Sequence, residues 1–114
     1  MNKRILFQGI EKTKHMEEHC NKQLAKVEHL LEHERTPVFI DLRLEPSKVH
    51  AHHFVELRVK TPTVEKISTY EGPEFYEVVD HVIDVMYREL CEWKHKETEH
   101  RRNIGRHNEV KKQR

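Results

Sequence analysis

The sequence predicts an α+β fold, a two-layer sandwich in which two helices cover one face of a four-stranded sheet, in the chain order β-α-β-β-β-α. Three observations carry this. Residues 13–34 and 75–93 repeat apolar side chains at three- and four-residue spacing, the period of a helix with one buried face. Residues 38–45 and 54–60 alternate strictly between apolar and polar, the period of a half-buried strand. Gly9, Pro37, Pro62 and the pair Gly72–Pro73 fall between these segments, where a chain must turn.

KRILFQG at 3–9 is a short first strand closed by Gly9. Thr13 is the N-cap of the first helix, whose stripe is Met16, Cys20, Leu24, Val27 and Leu31, and which is expected to end near Glu34. Pro37 introduces the second strand, with Val38, Ile40, Leu42 and Leu44 to one side and Phe39, Asp41, Arg43 and Glu45 to the other. EPSKVHAH connects to a third strand, where Val55, Leu57 and Val59 alternate with Phe54, Glu56, Arg58 and Lys60. After the TPT turn, VEKISTY is a weaker fourth strand. Gly72-Pro73-Glu74 then opens a helix with Pro near its start and an acid in its first turn, whose buried stripe is Phe75, Val78, Val79, Val82, Met86, Leu90 and Trp93.

A chain of 114 residues is long enough for one domain with a core and short for two. Residues 1–97 are assigned to that domain, and 98–114 to a basic, flexible C-terminal tail, because the apolar stripe stops and EHRRNIGRHNEVKKQR offers a core only Ile104 and Val110. The formal net charge of +1 conceals an asymmetry: the first 97 residues carry 15 Lys+Arg against 18 Asp+Glu, and the last 17 carry 6 against 2. A basic tail can reach an anionic partner, although for the tail alone a solvated, disordered end is the favoured reading. Cys20 and Cys91 form no CxxC pair and no disulfide framework, and are expected reduced and partly buried. The N-terminus meets Gln8, Glu11 and Lys12 too early for a signal peptide, and no segment approaches a membrane span, so the cytoplasm is expected.

HMEEH at 15–19 has the H-x-x-E-H form of an inverted zinc-protease signature. On a wheel at about 100° per residue, however, His15, His19, Lys22, Lys26, His29 and His33 share roughly 80° of arc, while Glu18 points away from the His pair. Two ammonium groups on that stripe would repel a divalent cation, and no third ligand is evident. Neither a metal nor any other cofactor is therefore expected, and no catalysis. The stripe is either a solvated helix face or a row of cations and imidazoles, about one turn apart, that can follow a phosphate backbone. The second helix adds Arg88, Lys94 and Lys96, followed by Arg101 and Arg102. His50, His52 and His53 cluster near a strand start, where alternation turns His53 inward to a hydrogen-bonded core position.

Several segments resemble, in order and spacing, the ribosome hibernation promoting factor and protein Y family of ribosome-associated translation inhibitors: GIEKT at 9–13, KQLAKVE at 22–28, TPVFIDLRLEP at 36–46, HFVELRVKTP at 53–62, and EFYEVVDHVID at 74–84, in the place of the family's D-M-Y-x-A-I-D-x-x-x-D run. The resemblance covers about residues 1–102. It implies a stress or stationary-phase factor that occupies the mRNA and tRNA channel of the small ribosomal subunit, contacts its rRNA, and holds the ribosome idle. No DNA or membrane partner is expected, and the free protein is expected to be a monomer. Lys22, Lys26, Arg88 and Lys94 match positions where the family commonly presents basic side chains to rRNA. Val85, Cys91 and Glu92 stand where many members have Lys or Arg, and Glu74 replaces the usual Asp. Long members carry a C-terminal dimerisation domain, which is not expected within these 114 residues. The competing function, suited to a net-acidic body, is a protein-binding regulatory module on the same fold without RNA.

Overall fold

The computed structural model describes residues 1–48 and 51–113, with side chains as far as Thr98. It contains β1 (Asn2–Phe7), α1 (Lys14–Leu30), β2 (Phe39–Pro46), β3 (His53–Lys60), β4 (Glu65–Gly72) and α2 (Phe75–Gln113). The sheet order is β1-β2-β3-β4. β1 runs parallel to β2, with Ile5 opposite Leu42, and the other pairings are antiparallel, with Leu42 opposite Leu57 and Leu57 opposite Ser68. This is the α+β architecture that the periodicities predict.

The register follows from burial. Because strand side chains alternate between faces, Ile40, Leu42 and Leu44 of β2 enter the core beside Val55, Leu57 and Val59 of β3. Cys20, Leu24, Val27 and Leu31 from the first helical segment, and Phe75, Val78, Val79, Val82, Ile83, Met86 and Leu90 from α2, complete the core. Ile83 joins the stripe expected for α2, whereas Trp93, at its distal end, is only half-buried. β4 is the weaker strand because its central inward residue is Ser68, whose buried hydroxyl donates to the Val82 carbonyl at 3.1 Å. That bond fastens the edge strand to α2 and satisfies a polar group that would otherwise be costly to bury.

Local rules set the element ends. Gly9 has φ 67°, a left-handed conformation that disfavours side chains even though a Cβ there would only touch the Pro46 ring. Thr13 Oγ1 accepts the Met16 N–H at 3.2 Å, the N-cap expected for α1. The helix ends one turn earlier than expected, at Leu30, because Leu31 to Glu34 tighten into a turn in which the Glu34 N–H donates to the Leu31 carbonyl at 3.0 Å. At the other junction, Gly72 lets α2 approach: a Cβ would sit 3.0 Å from Val78 Cγ2.

α1 and α2 lie side by side and parallel, since His19 faces Asp80 and Leu30 faces Lys94. The backbone of α2 passes residue 98 as a continuous helix. No described helix is long and apolar enough to cross a membrane.

Candidate nucleic-acid interface

α1 buries one face, so its opposite face must meet solvent. His15, Lys22, Lys26 and His29 are exposed there, and Lys22 and Lys26 enter no ion pair among the described residues. They lie four residues apart, about 6 Å along the axis. On α2, Arg88 and Lys96 are also exposed and without an ion pair among the described residues. Arg101 and Arg102 belong to the helical backbone of α2, but their side chains lie outside the described residues, as does His50.

Three members of the predicted cationic row are engaged elsewhere. His19 is half-buried between the helices and its Nε2 lies 2.6 Å from Asp80 Oδ1. His29 Nδ1 is 3.0 Å from Glu32, and His33, beyond the end of α1, is 3.5 Å from the other oxygen of the same carboxylate. The stripe is therefore not an uninterrupted cationic row. Its unpaired centre is Lys22 and Lys26, with His15 at one end.

Lys94 also has a different setting from the one its basic character suggests. Its ammonium donates to the Leu30 carbonyl, at the C-terminus of α1, and lies 3.5 Å from Glu34 Oε1. A cation at this end of a helix is favoured by the unsatisfied carbonyls and the negative pole of the helix dipole. Lys94 thus ties the two helices together.

Among the described residues, no group of three His, Cys, Asp or Glu is placed to hold an ion. Glu18 lines an open cleft together with His15, His19, Lys22 and Tyr76. Cys20, beneath this cleft, has its thiol pushed up to about 12, first by burial and then by Asp80 and Glu17. It stays a protonated core thiol rather than a nucleophile or ligand. At pH 8 a thiol reagent is expected to modify the half-buried Cys91 in the native protein, and Cys20 only after unfolding. Counting released chromophore with and without denaturant checks this. Equal rates for both thiols would contradict it.

His53 is half-buried, edge-on to Phe75 with ring centroids 5.6 Å apart, but its buried Nδ1 has no hydrogen-bond partner among the described residues. Packing against the aromatic ring, rather than a hydrogen bond, defines that position.

Tyr76 and Asp80 were not singled out from composition or periodicity. They flank the apolar stripe of α2 at i and i+4, and both coincide with fixed positions of the D-M-Y-x-A-I-D run, which is the signal that marks them. Of the departures from that family's basic positions, Val85 and Cys91 are half-buried and Glu92 is exposed.

The uncovered sheet face differs in kind. Arg4 pairs with Asp41 at 3.4 Å, Arg43 with Glu56 at 2.6 Å, and Arg58 approaches Glu56 at 3.9 Å. These guanidiniums already face carboxylates in the same sheet, whereas Lys60 on that face, like Lys22, Lys26 and Arg88 on the helix side, enters no ion pair among the described residues.

The model of the sigma 54 modulation protein / S30EA ribosomal protein family matches residues 4–98. The chain belongs to this family. Among solved structures it is similar to the N-terminal domain of Protein Y from Thermus thermophilus, with 17% identity and a TM-score of 0.66 over 82% of this chain and 99% of that one. It is also similar to a ribosomal subunit interface protein from Coxiella burnetii, with 18% identity and a TM-score of 0.65 over 82% of this chain and 98% of the other. At these identities the likeness establishes a shared fold. No curated protein sequence matches the chain. Within the S30EA family match fall all the described candidate cations, including Lys22, Lys26 and Arg88.

Proposed function

We propose that this S30EA-family protein is a ribosome-associated translation inhibitor, binding small-subunit rRNA in the mRNA and tRNA channel in stress or stationary phase. In this reading it acts by occupancy in the cytoplasm, without catalysis or cofactor, and is a monomer when free. The observation that carries the reading is the family match over residues 4–98. Exposed, unpaired Lys22, Lys26 and Arg88 on the helix side supply phosphate contacts, which position a protein on RNA through charge rather than sequence. Lys96, Arg101 and Arg102 continue the basic character along α2.

The test is co-sedimentation with ribosomes through a sucrose cushion at two salt concentrations. Binding that weakens steeply with salt is expected, because each neutralised phosphate releases counterions. A protein that stays in the supernatant at low salt would overturn the proposal. The runner-up is a protein-binding module without RNA contact. It is favoured by the paired charges of the sheet face and by Leu6, Phe39 and Ile67 exposed on it.

A further inference from the structure

We infer that the cleft between the first turns of α1 and α2 is a seat for one unpaired, amino-bearing base of the bound RNA. This rests on the rRNA-binding reading above and specifies what one part of that surface recognises. It is a shallow, open depression lined by His15, Glu18, His19, Lys22 and Tyr76, and so suits a flat group laid on its surface rather than one enclosed.

The walls are fixed from both helices. Asp80 holds the His19 ring by the 2.6 Å contact at Nε2. His19 meets Tyr76 nearly at right angles, with centroids 4.9 Å apart, and Phe75 braces Tyr76 from within its own helix at 5.3 Å and 89°. The Tyr76 ring is thus held in place while the residue remains 37% exposed. A rigid, partly exposed aromatic ring on a surface that faces nucleic acid is a stacking partner for a base splayed out of its helix.

The charges argue for a base rather than a phosphate as the occupant. Asp80 lies against His19, and Glu18 shares the lining with Lys22 without pairing to it, so two carboxylates at this surface disfavour an isolated phosphate. A carboxylate in a nucleic-acid-facing cleft repels phosphate, but it accepts hydrogen bonds from an exocyclic amine such as cytosine N4. Lys22, at the cleft and in line with Lys26, is placed for the phosphate of that nucleotide. Stacking on Tyr76, acceptance by Glu18 and neutralisation by Lys22 divide one nucleotide among three chemistries.

The decisive experiment measures ribosome affinity by co-sedimentation over a salt series for the native protein, Tyr76→Leu, Tyr76→Phe and Glu18→Ala. Tyr76→Leu should bind about five- to a hundredfold more weakly, the range of one lost stacking contact, with an unchanged salt slope, and Tyr76→Phe should bind like the native protein. Glu18→Ala reports by its sign. If only charge matters, removing an acid beside RNA tightens binding; if Glu18 accepts from a base, binding weakens. Glu18 is exposed on a helix and Ala is a good helix former, so this variant folds even if Tyr76→Leu does not. Tighter binding by Glu18→Ala, or native affinity for a folded Tyr76→Leu, overturns the base seat and leaves the ribosome-binding reading intact. Absence of ribosome binding by the native protein overturns both.

Discussion

Changing Lys22 and Lys26 together to Ala is expected to weaken ribosome binding by about a hundredfold and to lower the magnitude of its salt slope by about two units, one for each lost phosphate contact. The two side chains are exposed and enter no ion pair among the described residues, so nothing inside the protein competes for them. A hydrogen bond to a charged group contributes about 1.5–3 kcal/mol, and partial hydration of an exposed ammonium brings each contact toward the lower end. The fold should be untouched. The same helix is held by Cys20, Leu24, Val27 and Leu31, all on its buried side, and Ala is the most favourable residue in a helix interior. Thermal melting and sedimentation on the same preparations separate the two effects. An unaltered salt slope would move the RNA-facing surface off α1, and Arg88 and Lys96 on α2 would be the next positions to change.

The parts of this molecule that were legible in the sequence are those governed by local period. Strict alternation from Val38 to Leu44 and from Val55 to Val59 specified which side chains of β2 and β3 enter the core, and Thr13 marked the start of α1. Position along the chain could not reveal contacts made across it. His19 lies 61 residues from Asp80, and Lys94 lies 64 residues from Leu30. Both pairs exist only because α1 and α2 pack in parallel, a relation that no single-helix wheel contains. A wheel therefore placed His19 in a cationic row, whereas packing turned it toward a carboxylate. Glu18 keeps its angular distance from His15 on α1, and it shares with the His pair only an open depression that Tyr76 of the neighbouring helix also lines. Ser68 shows the converse. An inward serine weakens the strand pattern locally, and only the Val82 carbonyl above it explains why a hydroxyl is tolerated in the core.

Lys94 provides the sharpest test of how basic residues on these helices divide between structure and RNA. Lys94→Met keeps the aliphatic stem but removes the ammonium, so the Leu30 carbonyl loses its donor and half-buried Glu34 loses its cation. Loss of a charge-assisted hydrogen bond at a helix C-terminus, together with loss of the favourable helix-dipole interaction, costs about 1–2 kcal/mol. In a domain of this size each kcal/mol lowers Tm by about 4–8 °C, so Tm should fall by roughly 4–16 °C by that scale. Below the transition the salt slope of ribosome binding should equal that of the native protein, because the lost cation faces a carbonyl and a carboxylate rather than phosphate. Lys94→Arg should recover part of the stability, since a guanidinium keeps the charge but fits the carbonyl less closely than a compact ammonium. Melting curves and salt-series sedimentation of the three proteins decide between the roles: a native Tm with a slope reduced by about one unit would return Lys94 to the RNA surface, while a lowered Tm with an unchanged slope assigns it to holding α1 and α2 in register.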